Sequence, residues 1–130
     1  MRSERLTFKN QNGYELSGRL DLPITGKPVA VALFAHCFTC SKNLKAVTHI
    51  SRSLTNEGIA VMRFDITGLG ESGGDFADTT FTSNVADLVA AAALLEERGM
   101  APEILIGHSL GGAAVLQAAW FRVLLTYASY

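Results

Sequence analysis

Residues 107–111 read Gly107-His108-Ser109-Leu110-Gly111, directly after the apolar run Ile104-Leu105-Ile106. A serine between two glycines at this spacing, G-x-S-x-G, is the pattern of a sharp strand-to-helix turn, a nucleophile elbow. Such a turn holds the hydroxyl up at the edge of a sheet. The glycines are required because the turn presses backbone against backbone. The chemistry this predicts for Ser109 is acyl transfer: the hydroxyl attacks a carbonyl, and backbone N–H groups stabilise the oxyanion that forms. The Leu110 N–H is one expected donor, assisted by the positive end of the following helix. A glycine-bounded turn with an incidental serine is the plainer alternative; the strand before and the helix after favour the nucleophile. An elbow serine needs a His to accept its proton and an acid to orient that His, and both come later in the chain. From Leu110 to Tyr130 there is no His, Asp or Glu.

The second oxyanion donor is expected from the loop after the first buried strand, His36-Cys37-Phe38-Thr39-Cys40-Ser41. The Phe38 N–H is the expected donor, with Cys37 as the alternative. The His36 side chain is expected to brace this loop, since the base in this architecture arrives from a later one. Cys37 and Cys40 form C-x-x-C, which reads either as a redox pair or as two small loop residues; the spacing alone favours the second. With His36 they would make three zinc ligands and lack a fourth, so no metal site is expected. Gly68-Leu69-Gly70-Glu71-Ser72-Gly73 matches G-x-G-x-x-G, but acidic residues follow it where a dinucleotide phosphate would need a helix N-terminus. It is read as a loop, with no cofactor, braced or capped by Asp65 at the end of the preceding strand. His108 is expected to pack beside the turn and His49 to be solvated or packed on a helix. Asp87, Glu96 and Glu97 read as an ordinary polar helix face.

The elements that position these groups follow from the hydropathy pattern. Leu6-Thr7-Phe8 and Leu16 to Leu20 alternate around Asn12-Gly13, which predicts an antiparallel pair with a two-residue turn. Val29 to Ala35, Ile59 to Phe64 and Glu103 to Ile106 are short apolar runs of the kind found in strands buried on both faces. Leu44, Val47, Ile50 and Leu54 recur at helical spacing, with Ser41 or Asn43 to cap and Gly58 to terminate. Val85, Leu88, Val89, Ala92 and Leu95 do the same, with Gly99 closing. Strands alternating with helices predict an α/β fold with a mainly parallel sheet. The 130 residues suit one domain, long enough to bury a core. A net charge of −1 gives no basis for nucleic-acid or anionic-membrane partners. The N-terminus has no signal-peptide pattern, and two cysteines make no disulfide framework, so a cytoplasmic location is expected. The tail from Trp120 to Tyr130 carries one charge; it reads as an extension of the elbow helix or as a truncated or frame-shifted end, and Gln117 and Arg122 argue against a membrane span.

Three blocks together resemble the first half of an α/β-hydrolase: His36-Cys37-Phe38-Thr39, Asp65-Ile66-Thr67-Gly68-Leu69-Gly70-Glu71-Ser72, and Gly107-His108-Ser109-Leu110-Gly111-Gly112. The second is similar to the family's D-x-x-G-x-G-x-S loop. The resemblance covers roughly residues 4–119, and the wording of the first block, through Asn43, is similar to the hydrolase part of bacterial proteins fused to an OsmC-like domain. No OsmC-like segment is present, so that domain's peroxide chemistry is not carried over. The resemblance implies hydrolysis of an ester, thioester or amide of a small acyl-containing substrate, with Ser109 as nucleophile and Phe38 and Leu110 as oxyanion donors. It also implies a further strand beside Ile104–Ile106, an acid and a His, none of which this sequence supplies. The expectation is therefore a chain inactive by itself. The alternative is a non-catalytic hydrolase-like module that associates through its uncovered sheet edge.

Overall fold

A computed structural model describes residues 1–24, 26–36, 42, 45–108 and 111–119. Strands β1 (Arg2–Lys9) and β2 (Glu15–Leu22) pair antiparallel, from Arg2↔Leu22 to Lys9↔Glu15. Their connection is one residue longer than the predicted Asn12-Gly13 turn. The Gly13 N–H donates to the Asn10 carbonyl (3.1 Å), the Asn10 N–H donates to the Tyr14 carbonyl (3.0 Å), and Gly13 is left-handed at φ +82°. This is the three-residue hairpin loop, a turn followed by a left-handed glycine. Asn10 explains the choice. Its Oδ1 accepts from the Asn12 and Tyr14 N–H groups, both at 3.0 Å, which wraps the turn around the side chain.

The chain continues through β3 (Ala30–Ala35), α1 (Lys45–Asn56), β4 (Ile59–Phe64), α2 (Phe81–Glu97) and β5 (Ile104–Gly107), then a helix α3 over 111–119. The sheet order is β1-β2-β4-β3-β5; β2 joins β4 antiparallel, and β3 pairs parallel with both β4 and β5. The predicted α/β architecture is thus present, with an antiparallel hairpin added to a parallel core. Helix α2 starts at a capping box: Thr80 Oγ1 accepts from the Ser83 N–H (3.1 Å) and Ser83 Oγ accepts from the Thr80 N–H (2.8 Å).

The two faces of the sheet are covered differently. On one, Val85, Leu88 and Leu95 of α2 and Val115 and Ala118 of α3 close over Leu20, Leu33, Met62 and Phe64. On the other, α1 covers a smaller cluster of Ala32, Phe34, Val47 and Val61. Here the predicted apolar face of α1 is only partly right. Val47 is buried, but Ile50 is 41% exposed, while the polar Ser51 and Thr55 are buried in its place. Leu44, like the capping candidates Ser41 and Asn43, lies outside the described residues. The helix is rotated because the sheet beneath it presents charged groups, Asp21 and Arg63, and Ser51 donates to Asp21.

Asp87 departs from the polar-face expectation. It is buried on α2, where Oδ2 accepts from the Thr67 N–H (2.8 Å) and Oγ1 (2.7 Å) and Oδ1 accepts from Asn10 Nδ2 (3.1 Å). A carboxylate in this position satisfies three donors from two loops, which outweighs its preference for water. Glu96 and Glu97 are exposed as expected. The borders of the sheet also differ: β1 carries Arg2, Glu4, Arg5 and Lys9, whereas β5 carries no charge and its Ile104, Leu105 and Ile106 are half-buried. Among the described residues, no helix is long and apolar enough to cross a membrane.

Replacing Asp87 by Ala strands the Thr67 and Asn10 donors in the interior. The expected loss is about 3 kcal/mol, since each unsatisfied buried donor costs roughly 1–3 kcal/mol. A urea unfolding curve measures it; an unchanged midpoint would mean that Asp87 is not the tie between hairpin, loop and helix.

Candidate active site

β3 and β5 are neighbours, with Ala35 opposite Gly107 at their C-terminal ends. From β3 the chain leaves to α1 on one face; from β5 it leaves to α3 on the other. Adjacent parallel strands whose connections part in opposite directions leave a crevice outside their carboxyl ends, the usual ligand position in open α/β sheets. His36 and His108 directly follow these two strand ends.

The junction after β5 is abrupt. The strand stops at Gly107 and the helix is under way by residue 111. The His108 N–H donates to the Ala35 carbonyl (3.1 Å), and the Gly111 N–H donates to the His108 carbonyl (2.9 Å). A Cβ on Gly107 would lie 2.6 Å from the Gly111 carbonyl carbon, and one on Gly111 would lie 2.7 Å from the His36 carbonyl oxygen. Both neighbours are backbone and cannot give way. The glycine requirement inferred from the pattern therefore has a steric cause at both ends of the turn. Ser109 and Leu110 lie outside the described residues, as do Cys37, Phe38 and Cys40.

His108 is exposed, contrary to the expected packing. The strand pleat puts it on the same side as Ile106, the α1 side. There it joins Phe34, His36, Val47 and Ile50 around a cavity of about 170 Å³ that no described element closes. His49 is exposed, one of the two positions expected for it. His36 is buried, with Nε2 3.8 Å from Asp65 Oδ1.

Asp65, fully buried, is the hub of a polar layer under the N-terminal half of α1. Its Oδ1 accepts from the Lys42 N–H (2.7 Å), and its Oδ2 accepts from Lys42 Nζ (2.6 Å) and the Glu71 N–H (3.0 Å). The glycine-rich loop is wrapped around this carboxylate. Gly70 is left-handed, and a Cβ there would lie 2.7 Å from Asp65 Oδ1. Lys42 Nζ also donates to Glu71 Oε1 (3.2 Å), and Glu71 pairs with Arg5. The Lys42 carbonyl accepts from Arg63 Nη1 (2.5 Å), and Arg63 Nε donates to Asp21 Oδ2 (2.7 Å). Asp21 accepts further from Ser51 Oγ (2.5 Å) and Ser3 Oγ (2.7 Å).

Sequence reasoning singled out Asp65 but not Lys42, Arg63 or Asp21. One signal was available: Arg63 interrupts the apolar run Ile59–Phe64, and a cation inside a buried strand must find an anion. Burial pushes the Asp21 carboxyl up, but hydrogen bonds from Arg63, Ser51 and Ser3 and the Arg63 charge outweigh it and hold the pKa below the ordinary carboxylate value. The hydrogen bond from Lys42, then the Lys42 and Arg5 charges, lower Glu71 as well.

Residues 26–125 match the family model described as serine aminopeptidase, S33. The chain belongs to this family of α/β-hydrolases. A curated relative is the mouse mitochondrial palmitoyl-protein thioesterase ABHD10, 30% identical over 117 residues, which are 90% of this chain and 37% of the relative. Among solved structures, the esterase domain of a Rhodothermus marinus protein is 57% identical with a TM-score of 0.72, over 89% of this chain and 44% of that one. A Xanthomonas campestris α/β serine hydrolase without a lid is 30% identical with a TM-score of 0.78, over 92% of this chain and 56% of that one. This S33-family chain thus spans about half or less of the length of these relatives.

Two outcomes are expected. Gly111→Ala drives a methyl into the Ala35 and His36 carbonyls, so it should lower the melting temperature by several degrees, as a strained core substitution of about 2 kcal/mol does; an unchanged melting curve would disprove the steric account. Asp21 has a folded-state pKa below its unfolded value of 3.8, so its stabilisation is complete above that value and is lost as pH falls through the folded pKa. The slope of unfolding free energy against pH below about pH 4 should be shallower in Asp21→Asn than in the parent. Glu71 titrates in the same direction and leaves a residual slope.

Proposed function

We propose that Ser109 is the nucleophile of a hydrolase acting on carboxylic esters or thioesters through an acyl-enzyme. The observation that carries this reading is the Gly107–Gly111 junction, packed without room for side chains at the switch point of the sheet and directly against the start of the His36 loop. A strand-to-helix turn of this kind is the one that holds a serine hydroxyl up at the sheet edge, and the helix is under way by residue 111. In the first step Ser109 Oγ forms a bond to the acyl carbon and its proton passes to a histidine. The Leu110 and Phe38 N–H groups hold the oxyanion, and the C–O or C–S bond breaks as the leaving group takes that proton. Water then attacks the acyl-serine by the same route and releases the carboxylic acid. The thioesterase and esterase relatives support an acyl substrate.

The 130 residues hold no His, Asp or Glu after Ser109. A serine without a base is a poor nucleophile at neutral pH, so this chain alone carries out little or no turnover. An intact oxyanion site would still give ~10³–10⁴-fold over water. The second reading, a non-catalytic module, is favoured by one observation: the uncharged, half-buried border at β5.

Intact-mass analysis after treatment with a fluorophosphonate separates the two. One adduct per chain, absent in Ser109→Ala, is expected of the nucleophile, slowly for the chain alone and rapidly when the rest of a hydrolase supplies acid and His. No adduct in a folded sample under either condition would refute the nucleophile and leave the module.

A further inference from the structure

The lysine at 42 is 1% exposed, a rare state for this side chain. Its attachments involve every polar atom of the residue. The N–H and the ammonium grip the two oxygens of the same Asp65 carboxylate, at 2.7 and 2.6 Å, and the carbonyl receives Arg63 Nη1. Arg63 is in turn anchored to Asp21, so residue 42 is tied through β4 to β2 in the middle of the sheet. An apolar pair of the same volume would commonly be as stable as a buried ion pair. What it would not do is fix the main chain at one residue from three directions.

That residue stands at the outgoing side of the segment that starts at His36. The incoming side is fixed as well, because the Ala35 carbonyl accepts the His108 N–H and the His36 carbonyl lies against Gly111. We propose that Lys42 is a positioning residue for the oxyanion-binding loop: its two-point grip on Asp65 fixes the outgoing flank of the loop against the serine turn that fixes the incoming flank. Lys42 is buried and acts only by holding the flank of that loop. The inference rests on the reading of Ser109 as nucleophile and of this loop as the second oxyanion donor.

The loop contains the two cysteines of the chain, Cys37 and Cys40, so the effect of releasing its flank is readable without any catalytic activity. The test measures alkylation rates of both thiols by iodoacetamide in the full chain, well below the melting temperature, for the parent, Lys42→Met and Leu20→Ala. Leu20 is fully buried on the opposite side of the sheet and serves as a generally destabilised control. Lys42→Met should raise the rates about tenfold, as a local opening does, while Leu20→Ala leaves them within about twofold. Rates unchanged in folded Lys42→Met, or raised equally in Leu20→Ala, would overturn the proposal. Should Lys42→Met fail to fold, Glu71→Gln removes only the half-exposed partner of the ammonium; a rise of about threefold is then expected, and no rise overturns the proposal.

Where the parent reacts with fluorophosphonate, Lys42→Met should lower the maximal labelling rate and leave the half-saturating probe concentration unchanged. That is the mark of an interaction made only in the transition state. An effect confined to half-saturation would assign Lys42 to substrate binding and refute the positioning role. If the parent reacts neither alone nor when acid and His are supplied, the nucleophile falls, and the thiol rates alone decide the role of Lys42.

Discussion

A single carboxylate without access to water organises the reactive end of this molecule. Asp65 sits where β4 gives way to the glycine-rich loop, and burying its charge is tolerable only because three N–H donors, one of them an ammonium, converge on it. The donors come from two different stretches of the surrounding architecture. Glu71 comes from the loop that folds back under the strand ends, and Lys42 comes from the approach to α1. The carbonyl of Asp65 itself accepts from Ser72 Oγ at 2.5 Å. Removing the carboxylate would therefore release the glycine-rich loop and the approach to α1 at once.

The same logic operates a second time on the opposite side of the sheet. Asp87 draws the β1–β2 hairpin and the start of the glycine-rich loop onto α2 through Asn10 and Thr67. The glycine-rich loop is thus held from both faces: Asp65 from the α1 side and Asp87 from the α2 side. Asp65 accounts for the glycine at 70, whereas a side chain at 68 would run into the Asp75–Phe76 backbone and one at 74 into Thr67.

What was legible in the sequence was whatever short-range spacing determines. Apolar runs located the parallel strands, and the glycines at 107 and 111 announced a turn whose steric reason is visible in the Ala35 and His36 carbonyls. The buried ions were not legible, because charged residues default to the surface and their partners lie far off in the chain. Arg63 meets Asp21 from 42 positions away, and Asn10 meets Asp87 from 77. The rotation of α1 was hidden for the same reason: Ser51 turns inward to reach Asp21, which no local pattern records. The hairpin loop was misjudged by one residue because Asn10, not Asn12-Gly13, sets its geometry.

The contrast between the two borders of the sheet has a consequence for how such folds are made. Strand β1, with four charges in eight residues, discourages an additional partner, whereas β5 presents an uncharged run of Ile104, Leu105 and Ile106 and, among the described residues, pairs with β3 alone. Growth of the sheet is therefore directional. A further strand, whether from the same polypeptide or from a partner, would be received at β5 and discouraged at β1.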